Sequence, residues 1–278
     1  MMTKTNYHSH CSFCDGKAPM EEFFRAAIAE GFVSYGVSSH APLPFDTKWT
    51  LDRELVPAYL DEFGLLKEKY KEDIELYVGM EIDYLDETSN PSVDYFQQLP
   101  LDYRIGSVHL LHTPDGRIVD VDTSPENFRE ILQRDFRGEL ELLVAVYYDA
   151  SMKMAEAGGF DFVGHTDKIS YNAEICCPGI KNKDWYKRKL MDFLALVAEK
   201  GVMLEINAKA YPVKGCFFPN AEDFHLLREF HIPVLVNSDA HRPELVNAGR
   251  EEALLELKRN GFQSVRTLVA GKWEETGI

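Results

Sequence analysis

Short apolar stretches alternate with longer amphipathic ones along nearly the whole chain, and this alternation restricts the fold more than any other feature. A strand–helix unit repeated many times builds a parallel sheet covered by helices, because each helix carries the chain back to start the next strand in the same direction. The strands read as Thr5–His10, Tyr35–His40, Leu76–Ile82, Tyr103–His109, Phe162–His165, Val202–Asn207 and Pro233–Asp239. Met20–Glu30 repeats Phe23, Phe24, Ala27 and Ile28 at helical spacing before Gly31 stops it. Further helices are expected over Val56–Lys71, Asn127–Arg137, Leu140–Ala157, Trp185–Lys200, Ala221–Phe230 and Pro243–Asn260. Seven βα units result, an α/β arrangement that closes naturally into a barrel. Asp86–Pro91, Tyr171–Asp184 and Lys209–Pro219 read as long loops, and no domain-separating linker appears, so residues 1–278 are expected to form one domain.

In a parallel βα barrel the loops after the strands converge on one face, so what ends each strand matters. Strand one ends in His8 and His10, strand two in His40, strand three in Glu81 and strand four in His109. Strand five ends in His165, and strand seven in Asp239 followed by His241. Six of the chain's nine histidines therefore fall at one end of the expected barrel, beside two carboxylates. A single strand-end histidine is usually a hydrogen-bonded rim residue; their joint placement is what packing does not explain. Residues two apart on a strand share a face, so His8 with His10, and Asp239 with His241, can each reach one ion as a pair. Imidazole suits Zn, Fe, Mn or Ni, and a carboxylate such as Glu81 can bridge two ions through its two oxygens. His112, just past strand four, reads as a solvent-facing turn residue with substrate contact as the alternative, and His225 and His231 are given no chemistry.

Charge and cysteines narrow the partners. A formal net charge of −16 opposes loose binding to nucleic acid or anionic membranes, which are held by clustered Lys and Arg. No basic stripe interleaved with aromatics appears, and no apolar run approaches a membrane span. Without the pattern of a signal peptide at MMTKTNYHSH, a cytoplasmic location is expected. The five cysteines are an odd set in a chain too large to need stapling, so reduced thiols are expected; Cys11 and Cys14 read as bystanders on the loop carrying Asp15.

The fragments HSH at His8–His10 with Asp15, SSH ending at His40, GME ending at Glu81, GSVH ending at His109, GH at Gly164–His165 and SDAH at Ser238–His241 together resemble the polymerase-and-histidinol-phosphatase (PHP) family of metallohydrolases. They run from residue 8 to residue 241, and each is weak alone. HSHCSFCDG, SSHAPLPF and IGSVH look most like the monofunctional histidinol-phosphate phosphatases within it. The resemblance implies a distorted seven-stranded (β/α)7 barrel, TIM-like, with a trinuclear divalent metal centre of Zn, Fe or Mn at the C-terminal ends of the strands. It implies one metal on His8, His10, Glu81 and Asp239, a second on Asp15, His40 and His241, and a third on Glu81, His109 and His165, with Glu81 bridging. Asp15 stands where some relatives carry His, a harder ligand in that position.

The same resemblance implies a phosphomonoesterase of the histidinol-phosphate phosphatase kind, taking a small phosphorylated substrate and needing no phosphoenzyme. The clustered dications would offset the acidity of the chain locally and generate hydroxide for in-line attack on phosphorus. Glu81, Asp15 and His241 are the residues expected to take part in catalysis, the latter two as candidates for protonating the leaving oxygen. Lys168, Lys209 and Arg242, each just past a strand end, are candidates for the phosphate, and Asn207 for substrate hydrogen bonding. Asp167 and Asp83 are candidates for an amine on the substrate or for orienting ligands. Relatives place arginines after the GH and EIN segments where this chain has Ser170 and Pro212. Two other readings stand beside this one: a phosphoesterase for nucleotides, short oligonucleotides or phosphotyrosine, and a non-catalytic metal-binding regulator. Turnover across a substrate panel separates all three.

Overall fold

In a computed structural model, which describes residues 3–278, seven parallel strands lie side by side in chain order. They are Thr5–Asn6, Ser34–Val37, Glu75–Asp83, Tyr103–Ser107, Phe162–Val163, Met203–Asn207 and Val234–Asn237. The sheet curls into a nearly closed barrel. Strands one and seven share no regular ladder, and the gap is bridged in two ways. At their C-terminal ends two asparagine side chains take the place of backbone partners: Tyr7 N–H donates to Asn237 Oδ1 (2.7 Å) and Ser238 N–H to Asn6 Oδ1 (2.7 Å). Further on, Ser9 and Ala240 pair as an isolated parallel bridge, with His10 N–H on the Ala240 carbonyl at 2.8 Å. Strand seven is thereby pinned to strand one at the residues that flank the histidine and aspartate pairs.

The barrel interior is divided by polarity. Its lower half is packed with Tyr7, Tyr77, Tyr103, Ile105, Phe162, Met203, Leu235 and Leu268, all buried, against the partly buried Trp273. The Tyr103 ring fits because strands two and three present glycine to it: a Cβ at Gly36 would lie 2.3 Å from the Tyr103 oxygen, and one at Gly79 2.4 Å from the ring. This aromatic plug keeps water out beneath the polar upper half, so side chains there are held against a rigid, apolar floor. Two larger apolar clusters pack the helices onto the outside of the sheet.

The expected strands and helices are present, but strands one, two, four and five stop at Asn6, Val37, Ser107 and Val163, short of the histidines they were expected to include, and four further departures have physical causes. Residues 171–184 are not simply loop: Ile169–Cys176 forms a helix whose Ile169 and Ala173, one turn apart, bury against the core. A short helix, Tyr211–Lys214, interrupts the loop at 209–219. The helix expected over Pro243–Asn260 is broken at Gly249, whose φ of +68° no helix continues through; a 3₁₀ turn at Pro243–Leu245 precedes it and the helix proper is Arg250–Arg259. Two antiparallel hairpins are additional, one pairing Leu110–His112 with Ile118–Asp120, the other Ser264–Val269 with Lys272–Gly277. The second caps the barrel floor, where the Leu268 carbonyl accepts from Ser34 Oγ at 2.9 Å and the Tyr7 oxygen accepts from Leu268 N–H at 2.7 Å. Among the described residues no helix is long and apolar enough to cross a membrane.

Candidate metal centre

Above the aromatic floor, the ends of strands one to five and seven bring His8, His10, His40, Glu81, His109, His165, Asp239 and His241 together, and the loop after strand one adds Asp15. Glu81 is the centre of this arrangement and is fully buried. Its Oε2 lies 3.2 Å from His8 Nε2, 3.4 Å from His10 Nε2 and 2.9 Å from His40 Nδ1. Its Oε1 lies 2.7 Å from His165 Nε2 and 3.5 Å from His109 Nε2, and accepts a 2.7 Å hydrogen bond from Ser107 Oγ. One carboxylate thus presents each oxygen to a different set of imidazoles.

Four groups of donor atoms converge closely enough to share an ion: His8, His10 and Asp239; His10, Asp15, His40 and His241; Glu81, His109 and His165; and His40, Asp83 and His109. The first three gather the residues that the resemblance distributes among three metals, with His10 placed between two groups. The fourth, through Asp83, has no counterpart in the sequence reading. Asp239 Oδ1 is 3.3 Å from His10 Nε2 and from His241 Nδ1, and Asp15 Oδ1 is 3.3 Å from His241 Nε2.

The donor set fits divalent metal ions on an observation of the protein's own atoms. His8 Nε2, His10 Nε2, Glu81 Oε2 and Asp15 Oδ1 are all buried, and none makes a hydrogen bond although they face one another. Buried polar atoms ordinarily find partners, so atoms of both charge types left unpaired in one cavity mark a place for cations. Electrostatics agree. Burial alone would raise the Glu81 carboxyl, yet His8, His40 and His109 hold it well below its usual range. Burial is likewise overridden at Asp239, by Lys209 and His8. Burial, then the charges of His241 and His40, keep His10 well below the ordinary histidine range, and burial with Lys168 brings His165 down to about 4. Both rings are therefore neutral at pH 7 with lone pairs free to ligate.

The histidines are aimed by carboxylates behind them. Glu205, fully buried in strand six, accepts from His8 Nδ1 (2.8 Å), Asn237 Nδ2 (2.9 Å), His165 N–H (2.8 Å) and Asn207 Nδ2 (2.9 Å). Asp83 Oδ1 does the same for His109, taking its backbone N–H at 2.8 Å and facing its Nδ1 at 3.0 Å. A proton fixed on Nδ1 turns Nε2 and its lone pair into the cavity. The backbone is strained at the same place: His165, Asp167 and Asp239 hold φ values of 23°, 61° and 48°, in a region non-glycine residues seldom enter. Glu205 escaped the sequence reading, although the signal was there. Alternation along MLEIN puts Met203, Glu205 and Asn207 on one face, and an acid on the interior face of a barrel strand needs a polar task.

The residues expected to meet substrate divide sharply. Lys209 lies at the rim, its Nζ 3.2 Å from Asp239 Oδ1 and 3.3 Å from His241 Nε2. Lys168 pairs with Asp122 at 2.5 Å. Asn207 is fully buried and bonded to Glu205 and to Asp239 Oδ2 (3.1 Å), so it braces the cluster. Arg242 is exposed and faces Glu244 at 3.8 Å, outside the cavity lining. Asp167 is turned away, accepting from Tyr148 (2.7 Å) and Tyr186 (2.5 Å) hydroxyls. A cavity of about 200 Å³ opens over the cluster, lined by Asp15, His40, His109 and His241 together with Trp49, Asp120, Asp122 and Lys209.

Comparison with known proteins adds to this geometry. A family model described as PHP domain matches residues 6–209. The histidinol-phosphatase of Bacillus subtilis is 26% identical over 259 residues, covering 87% of this chain and 94% of that protein. Among solved structures, one from Listeria monocytogenes assigned as histidinol phosphatase hisK superposes with a TM-score of 0.81 at 24% identity, over 90% of this chain and 99% of its own. The histidinol phosphate phosphatase of Lactococcus lactis, solved with zinc, L-histidinol and phosphate, superposes with a TM-score of 0.72 at 20% identity, over 99% and 100%.

Proposed function

This chain belongs to the PHP domain family, and from that premise we propose that residues 1–278 act as one cytoplasmic metallophosphatase domain hydrolysing L-histidinol phosphate to L-histidinol and phosphate. The observation that carries the proposal is the Glu81 carboxylate, which offers one oxygen to His8, His10 and His40 and the other to His109 and His165 at the mouth of a small cavity. The curated relatives that share nearly the full length supply the substrate.

His8, His10, Glu81 and Asp239 would hold one metal ion, Asp15, His40 and His241 a second, and Glu81, His109 and His165 a third. Bound there, divalent ions supply Lewis acidity to a phosphoryl group and acidify water. The chain's own residues do the rest. Glu205 and Asp83 hold the imidazole tautomers, and Ser107 fixes the rotation of Glu81. Lys209 brings an ammonium to the rim where a phosphate dianion must arrive, against a chain of net charge −16. Of the two candidates for protonating the departing alcohol oxygen, His241 is the one kept, because Asp15, 3.3 Å from it, is held against its burial well below the usual carboxylate range by His241 and carries no proton at pH 7.

The test is phosphate release from L-histidinol phosphate beside AMP, phosphotyrosine and p-nitrophenyl phosphate, with metal content measured on the same sample. A hundredfold preference in kcat/KM, about 2.7 kcal/mol of transition-state discrimination, is the expected result. Equal rates across the panel would refute the substrate; no turnover by a metal-loaded sample would refute the enzyme.

A further inference from the structure

A substrate with a phosphate at one end and an ammonium beside it needs an anion placed near the metal cluster, and the residues the sequence offered for that task are committed elsewhere. Asp167 is held by two tyrosine hydroxyls and Asp83 by His109. The cavity has a wall that the strand pattern did not foresee. The hairpin strand Ile118–Asp120 lies against Leu110–His112, and Val121 N–H donates to the His109 carbonyl at 2.9 Å, so Asp120 is anchored beside one of the cluster histidines.

Asp120 lines the cavity and is half-buried. One of its oxygens accepts the Asp122 N–H at 2.9 Å. Among the described residues no lysine or arginine pairs with it, whereas its neighbour Asp122 is neutralised by Lys168. Trp49 lines the same cavity, and its ring meets His40 and His109 edge-on with centroids 4.8 and 5.6 Å away. His40, which Trp49 touches, is itself buried and lines the same cavity. An unneutralised carboxylate in the cavity that receives a phosphate dianion repels the substrate unless the substrate carries positive charge of its own. That cost becomes a gain for one class of phosphomonoester.

Resting on the proposed function, we propose that Asp120, with Trp49 lining the same cavity, selects phosphomonoesters whose alcohol carries an ammonium one carbon from the ester carbon. The carboxylate takes a charge-assisted hydrogen bond from the ammonium, and the indole face offers it a cation–π contact. Phosphate esters of neutral alcohols meet the same carboxylate without a counter-charge.

The experiment compares kcat/KM for phosphoethanolamine and for propyl phosphate, which share the phosphate and differ in the amine, using the metal-loaded protein. The wild type is expected to prefer the amine by about tenfold or more, the range of a charge-assisted hydrogen bond. Asp120→Asn is expected to bring that ratio to near unity, chiefly through KM. Asp120→Glu, which retains the charge but displaces it, is expected to give an intermediate ratio and serves if the Asn variant does not fold. Asp149→Asn, on an outer helix and paired with Lys189, is expected to leave the ratio as it is. No amine preference in the wild type, or a ratio that survives both Asp120 substitutions, overturns the inference. L-Histidinol phosphate is measured alongside: if it is turned over no faster than p-nitrophenyl phosphate while the amine ratio holds and depends on Asp120, the assigned substrate is wrong and the selection by Asp120 stands.

Discussion

Replacing Glu205 by Gln tests whether the buried carboxylate behind the cluster sets its affinity for metal. All four contacts of Glu205 come from donors: His8 Nδ1, Asn237 Nδ2, the His165 N–H and Asn207 Nδ2. A carboxylate satisfies them all, and an amide satisfies only those on its oxygen side. Whichever way the Gln turns, an NH₂ group faces two donors. If its oxygen stays with His8 and Asn237, His165 loses the hydrogen bond that holds its strained backbone. If it turns, His8 loses the partner that keeps its proton on Nδ1. Two buried donors without acceptors cost about 1–3 kcal/mol each, a large share of a typical stability of about 5–15 kcal/mol. Loss of such a supporting carboxylate lowers metal affinity about 10–100-fold. The assay is competition with a chromophoric chelator, run beside thermal unfolding with and without metal. Wild-type affinity together with wild-type Tm in the Gln variant would refute the reasoning, because it would mean that the cluster does not depend on the tautomers Glu205 imposes.

Asp83→Asn removes the same support from His109 and is expected to weaken metal binding about tenfold, read by the same chelator competition. Lys209→Met is expected to lower kcat/KM for phosphomonoesters about 10–100-fold, the range of a hydrogen bond to a charged group, while metal content stays near the wild-type value. Gly79→Ala drives a Cβ to within 2.4 Å of the Tyr103 ring, and overpacking of about 1–3 kcal/mol is expected to appear as a lower Tm. Burial, then the charge of Glu222, raises the Asp223 carboxyl to about 6. Between the unfolded value of about 3.8 and about 6 the native state binds the extra proton, so this carboxyl subtracts stability increasingly as pH rises through that window and in full above it. Asp223→Asn is therefore expected to raise Tm at pH 8 and to leave it unchanged near pH 4, by thermal melts at the two pH values.

The βα alternation and the strand-end histidines were legible because both are local. Period-two strands and period-3.6 helices write themselves into the chain, and a parallel barrel converts position at a strand end into position at one mouth. What the sequence could not show depends on contacts between distant segments. The strands Leu110–His112 and Ile118–Asp120 are three residues each, too short for a period, and only their packing beside His109 gives Asp120 a place in the cavity. The C-terminal hairpin alternates weakly because Lys272–Gly277 is largely solvent-facing. Glu205 and Asp83 look alike as strand acids; their partners, not their spacing, make them supports. Arg242 shows the converse, since lying just past a strand end did not bring its guanidinium to the cavity.

The proposed function depends on several metal ions held together by the Glu81-bridged cluster. Metal-stripped protein titrated with Zn²⁺ or Mn²⁺, with bound metal and phosphate release from L-histidinol phosphate followed together, tests it most directly. The prediction is activity that reaches its plateau only as the third ion per chain binds, and that is lost in Glu81→Gln along with more than one ion. Full activity with a single ion, or in the stripped protein, would contradict it.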